Sequence, residues 1–185
     1  MKSEKIFQVR LGGFGGQGVV LASKILGDAL SREGYNVLQT QSYGIEARGG
    51  ATCGEVLYGN CEINYLRVVA PDILLALNQD ALNEYVKDVP QGGFVIYDDS
   101  NMEVPFANNN LQVFGAPLTD IAIKEMGNKM YLNIIALGFI NGITKMTSLE
   151  NLEGAIEKHF GTKIGNNLIA LHRGYQEAGK LLQNV

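Results

Sequence analysis

The groups in this chain best placed for chemistry are backbone groups, in the stretch Gly12-Gly13-Phe14-Gly15-Gly16-Gln17-Gly18. An apolar run from Ile6 to Leu11 enters it, and Val19-Val20-Leu21-Ala22 leaves it. Glycine admits positive φ and lets a backbone approach a ligand or another chain without a Cβ in the way. A helix starting just afterwards offers unpaired N–H groups and the positive end of its dipole, a setting that favours phosphate or carboxylate. Gly13, Gly15 and Gly18 also match the G-x-G-x-x-G spacing of dinucleotide folds, a pattern of low specificity by itself. The second stretch of interest is Gln41-Ser42-Tyr43-Gly44-Ile45-Glu46-Ala47-Arg48-Gly49-Gly50-Ala51. There Arg48 carries a planar fork suited to a carboxylate or phosphate, and Ser42, Tyr43 and Glu46 add hydrogen-bonding groups. Each feature also has a plain structural use. The glycines allow a tight turn, and Arg48 can pair with Glu46 or Glu55.

A self-contained active site is not evident. A nicotinamide site wants an acidic residue near the end of the second strand, where Gln39, Thr40 and Gln41 stand. No Lys-Ser/Thr pair follows the glycines, so the loop is not a P-loop. His159 and His172 lie in the C-terminal region with no nucleophile beside them, and read as surface or capped helix histidines. Asp98-Asp99 reads as a solvated strand end, with cation binding the less common use. Cys53 and Cys61 form no C-x-x-C and have no histidine near them; two buried, reduced thiols are expected, with neither zinc nor an iron–sulfur cluster. No catalytic or metal-binding residue is therefore assigned. A glycine-rich chain without catalytic groups suggests a subunit that completes a site elsewhere.

The elements that must position these stretches follow from periodicity. Residues 5–12 read as a strand, Val19 to about Arg32 as an amphipathic helix with Gly34 as its C′ residue, and Tyr35–Thr40 as a second strand, together a right-handed βαβ unit. Thr52–Leu57 and Ile63–Tyr65 read as a hairpin around Gly59-Asn60. Ile73–Leu77 reads as a strand buried on both faces, Gln79–Val86 as a short helix, and Phe94–Tyr97 and Leu111–Phe114 as further strands. Pro117 opens a helix through Met126, and from Met130 onward only helices are expected. Tyr131–Ile143 is strongly apolar, with Ala136, Gly138 and Gly142 where another backbone can approach. Ser148 is a candidate cap, and Ile164–Leu182 forms the last helix. The expected class is α/β: a mostly parallel, Rossmann-like sheet flanked by helices, with a helical C-terminal region, in one domain over residues 1–185. Both key stretches then leave carboxyl ends of strands, which makes them neighbours.

Composition narrows the function classes. The 185 residues are 46% hydrophobic and 18% charged, with net charge -4, the balance of a globular chain. No Lys/Arg cluster provides the footprint that nucleic acid needs. No apolar run reaches membrane-span length and no secretory signal opens the chain, so a cytoplasmic location is expected.

At this point a resemblance enters. Gly13-Phe14-Gly15-Gly16-Gln17-Gly18-Val19 and Gln39-Thr40-Gln41-Ser42-Tyr43-Gly44-Ile45-Glu46-Ala47-Arg48-Gly49-Gly50 resemble the gamma subunit of 2-oxoacid:ferredoxin oxidoreductases. The likeness continues through Pro71–Leu77, Gly127–Met130 and Asn133–Gly138, and looks most like the 2-oxoglutarate branch; pyruvate, 2-oxoisovalerate and indolepyruvate enzymes share the fold. The resemblance implies a chain that binds no cofactor alone. Thiamine diphosphate, with Mg, sits between partner alpha and beta subunits. Iron–sulfur clusters sit in the beta and ferredoxin-like delta subunits and pass electrons to ferredoxin. Coenzyme A is the co-substrate. Gly13, Gly15, Gly16, Gln17, Gly18, Ser42, Tyr43, Glu46, Arg48, Gly49 and Gly50 are then expected to face partners or coenzyme A. An isolated chain is a candidate homodimer. A stand-alone nucleotide- or flavin-binding module and a pure scaffold remain alternatives.

Overall fold

The structure, a computed structural model, describes residues 5–42, 51–103 and 110–183. Six strands, β1 (Ile6–Gly13), β2 (Asn36–Ser42), β3 (Thr52–Gly59), β4 (Ile73–Ala76), β5 (Phe94–Asp98) and β6 (Gln112–Ala116), form one sheet in the order β2-β3-β1-β4-β5-β6. The helices are α1 (Val19–Arg32), α2 (Gln79–Tyr85), α3 (Leu118–Lys124), α4 (Leu132–Thr144), α5 (Leu149–Phe160) and α6 (Ile164–Gln183). β1, β4, β5 and β6 pair in parallel, as a continuous apolar β4 implies. Among the described residues no helix is long and apolar enough to cross a membrane.

β3 departs from the expected arrangement. It runs antiparallel between β1 and β2, so the two strands of the βαβ unit are parallel to each other but not hydrogen-bonded together. All eight residues of β3 are buried, and both of its edges are taken. No edge is left for the hairpin partner expected at Ile63–Tyr65, and that segment is not a strand. Instead residues 61–72 cross the sheet as an irregular strap. Gln8 Oε1 accepts from Val69 N at 2.9 Å, and buried Val68 gives its carbonyl to Arg10 at 2.6 Å. Cys53 is buried as expected, but Cys61, in the strap, is only half-buried.

Strand alternation divides β1 between two layers. Val9 and Leu11 enter a large core with α1, α3, α4, α5 and α6, while Gly12 faces Ala81 and Tyr85 of α2. The deepest helix is α4, buried at every residue from Leu132 to Ile143. A helix apolar all round needs cover all round, and α6 supplies it at backbone distance. A Cβ on Gly138 would fall onto the Leu171 carbonyl oxygen, and one on Gly174 onto that of Ile135.

Helix ends follow the expected chemistry. Gly34 takes φ 95° after α1, and the Ser148 hydroxyl accepts from Asn151 N at the start of α5. Glu33 adds an inter-helix cap unseen in the sequence: one carboxylate oxygen accepts from Thr147 Oγ1, Ser148 N and Asn151 Nδ2 at 2.6–2.9 Å.

Gly174→Ala should destabilise the fold by about 3 kcal/mol, read from urea unfolding, because two backbones must separate. Hydrogen bonds from Ser148, Thr147 and Asn151 hold the Glu33 carboxyl below its usual range. Since the folded value lies below the unfolded one, its contribution is complete above the ordinary Glu pKa and fades as pH falls through the folded value. Glu33→Gln should therefore melt below wild type at neutral pH, with the gap closing below about pH 4.

Candidate functional site

The glycine stretch forms a crest at the carboxyl end of β1. Phe14 is 42% exposed at its tip, and a Cβ on Gly15 or Gly16 would meet nothing within 4 Å. Positive φ occurs at Gly16 (92°) and Gly18 (75°) but not at Gly15. Gly18 is the N-cap of α1 and supplies no side-chain cap, so the first turn of the helix stays open. A Cβ there would lie 2.6 Å from Asn133 Nδ2, which donates to the Gly18 carbonyl at 3.4 Å. The second residue of α4 thus sits directly beneath the start of α1.

Gln17 is turned inward. Its Oε1 accepts from Phe14 N at 2.6 Å and from Asn78 Nδ2 at 3.1 Å, and its Nε2 donates to the Leu77 carbonyl at 2.9 Å. In an open α/β sheet, ligands enter where strand order reverses, here between β1 and β4. The Gln17 amide bridges that point. Its neutral oxygen takes the Phe14 N–H that an anion would otherwise use, so the loop is a rigid crest more than a phosphate cradle. Beyond it, a hollow of about 270 Å³ runs to Asn78, Asp98, Thr119 and Lys129. Asp98 is not a solvated strand end. It is 4% exposed and caps Ser100 and Thr119, accepting from Thr119 N at 3.1 Å and Ser100 Oγ at 2.7 Å.

Strand register places the two described ends of the second stretch, Ser42 and Ala51, at the same end of the sheet as the crest. Gly12 pairs with Cys53, and Cys53 with Ser42, so β1 and β2 end at the same edge of the sheet. Tyr43, Glu46, Arg48, Gly49 and Gly50 lie outside the described residues; Ser42 and Ala51 bracket them, with Tyr85 Oη donating to the Ala51 carbonyl at 3.3 Å. Glu55, a possible partner for Arg48, is already paired.

Its partner is Arg10, which belongs to neither glycine-rich stretch. Arg10 is 7% exposed; Nε donates to Glu55 at 2.9 Å, Nη1 to Asp88 at 2.7 Å and Nη2 to the Val68 carbonyl at 2.6 Å, over the Tyr85 ring. Burial opposes its charge, but the bonds to Asp88 and Glu55 outweigh it and raise the guanidinium pKa. Burial, then Glu55, pushes the Cys53 thiol up, so it is held protonated. Together these residues floor a hollow of about 460 Å³ on the β1–β3–β2 face, with Thr40 and Ser42 beside it and exposed Arg67 and Lys87 at its mouth. The available signal was period-two alternation: a cation between Val9 and Leu11 must point to the opposite face.

Elsewhere, His159 and His172 pair with Asp28 and Glu153 at 2.6 and 2.8 Å, as helix-surface histidines. Among the described residues no three metal-ligating side chains converge. Arg10→Ala strands Glu55 in a buried place and should cost about 3–5 kcal/mol, measured as a lower urea midpoint. Arg10→Lys should recover only part, since one ammonium cannot span three directions.

Residues 8–177 match the family pattern described as pyruvate ferredoxin/flavodoxin oxidoreductase. Over 178 residues the chain is 38% identical to 2-oxoglutarate synthase subunit KorC of Methanocaldococcus jannaschii, spanning 94% of this chain and 95% of that one. The gamma subunit of a keto/oxoacid ferredoxin oxidoreductase from Geobacter sulfurreducens superposes with TM-score 0.83 at 32% identity, covering 94% of this chain and 99% of that one. A 2-oxoglutarate:ferredoxin oxidoreductase from Magnetococcus marinus, solved with 2-oxoglutarate, coenzyme A and succinyl-CoA, gives TM-score 0.84 over 99% of this chain and 32% of its own. At 20% identity that last likeness is one of fold. With a pattern and a relative that both run nearly end to end, the chain belongs to the pyruvate ferredoxin/flavodoxin oxidoreductase family.

Proposed function

We propose that this chain is the non-catalytic gamma subunit of a 2-oxoglutarate:ferredoxin oxidoreductase, working in the cytoplasm. The glycine crest and the bend after β2 face the catalytic subunits. The observation that supports this reading is the row Gly12–Cys53–Ser42, which puts the foot of the crest and Ser42 at one end of the sheet. The 2-oxoglutarate branch is supported by the near-full-length identity to KorC.

In such an enzyme the 2-oxoacid is decarboxylated on thiamine diphosphate in the alpha and beta subunits. Electrons leave through clusters of the beta and delta subunits to ferredoxin, and the acyl group passes to coenzyme A. Two cysteines in the whole sequence do not furnish the four thiolates of a cluster, which supports leaving the clusters to the partner subunits. Its own part is to shape and charge a wall. Arg67 and Lys87 offer cations to coenzyme A phosphates, with Ser42 and Thr40 as hydroxyl donors beside them. Arg48 supplies a further fork. Buried Arg10 keeps the strap, the sheet and the end of α2 at fixed separation behind them.

Gly15 gives a clean test, because its missing Cβ points to open space and its φ is not positive. Gly15→Val should fold with an unchanged melting temperature yet lose at least tenfold in assembly when co-expressed with the catalytic subunits. Arg48→Ala should weaken assembly or raise the KM for coenzyme A in 2-oxoglutarate-dependent viologen reduction. Wild-type assembly and kinetics in both variants would refute the docking face. Saturable binding of NAD or FMN by the chain alone would instead favour the stand-alone module.

A further inference from the structure

Between α3 and α4 the chain makes a tight, well-bonded turn at Gly127-Asn128-Lys129-Met130. Gly127 takes φ 70°. Asn128 N donates to the Ala122 carbonyl at 3.1 Å, and the Asn128 side-chain oxygen accepts from Met130 N at 2.9 Å. Tyr131 follows, and its hydroxyl accepts from Asn166 Nδ2 of α6 at 3.1 Å. A turn tied down on both sides holds Met130 in one place, yet Met130 is 69% exposed.

A second apolar side chain stands near it. Ile169, 57% exposed, lies three residues after Asn166 and four before Arg173, so it shares their stripe of α6. That stripe meets Tyr131 at one end and, through Arg173 Nη2, Glu125 at 2.8 Å at the other. On its other side the turn adjoins the crest. Lys129 lines the same hollow as Phe14, and Asn133, three residues past Met130, bonds the Gly18 carbonyl. Phe14, Met130 and Ile169 thus form a row over three elements, running from the crest to α6. Single exposed apolar residues need no explanation, but a row held in place by bonded backbone marks a contact face. Aromatic residues and methionine are the types enriched at interface cores, and a thioether adapts its shape to the surface it meets.

We propose that Met130 and Ile169, continuing from Phe14, are the apolar centre of a surface that docks the catalytic subunits of the same oxidoreductase. Lys129 and the Glu125–Arg173 pair form its polar rim. The proposal rests on the reading that the crest faces those subunits, and continuity with Phe14 selects them over a second copy of this chain.

The full chain is co-expressed with the alpha, beta and delta subunits, the complex is captured through a tag on the alpha subunit, and the captured share of this chain is measured. Met130→Glu and Ile169→Glu should each lose about tenfold in capture, at unchanged melting temperature, because a charge enters the desolvated centre of the contact. Met130→Ala and Ile169→Ala, which only remove exposed atoms, should each lose about fivefold, so a folding defect in a charged variant does not decide the matter. Met130→Leu should stay at wild type. Wild-type capture of the Glu and Ala variants while Gly15→Val is lost would overturn this surface and leave the crest reading standing. Loss in these variants with Gly15→Val at wild type would support this surface and refute the crest. Self-association of the isolated chain that Met130→Glu abolishes, with capture intact, would assign the row to a second copy and overturn the proposal.

Discussion

The constraint behind most of this architecture is that α4 has no polar face. Every side of a helix like Leu132–Ile143 must be covered, because each exposed aliphatic side chain forgoes roughly 2 kcal/mol of burial. The sheet, α1 and α3 cover part of it, and α6 must close the rest. Closure at backbone distance is possible only where side chains vanish, which accounts for Gly138 facing Leu171 and Gly174 facing Ile135. The same burial brings Asn133 under Gly18, so the helix that fills the core also holds the crest from below.

The crest and its neighbouring hollow handle polarity in different ways. In the crest a neutral amide, Gln17, satisfies the backbone N–H of Phe14 and ties the loop to Leu77 and Asn78. In the hollow, a buried Arg10 is matched by Glu55 and Asp88. Hydrophobic replacements could match the stability of such a network, since desolvation offsets most of the attraction between its charges. Its distinctive property is direction. Three hydrogen bonds at fixed angles fix where the strap, β3 and the turn after α2 stand relative to one another.

Much of this was legible in the residues. Continuous apolar runs marked β4 and β5, helical spacing marked α1 and α6, and Gly34 and Ser148 marked helix ends within a residue or two. Antiparallel insertion of β3 was not legible, because its residues alternate no differently from those of a hairpin strand, and only pairing partners reveal which edges are occupied. Ile63–Tyr65 shows the consequence: β-favouring residues form no strand where no edge is free. Asp98 likewise looked solvated because nothing local announces the arrival of Thr119 from 21 residues away.

Sequence alone determined the α/β class, the family motifs and the crest, since glycine spacing and apolar periodicity are local and survive without coordinates. Tertiary structure decided which way the polar groups turned. Gln17 and Arg10 are both hydrogen-bonding residues beside the motif, and each became structural because acceptors from distant strands and loops met it inside the fold. Such matching depends on contacts made across the chain, and residue type and spacing do not encode it.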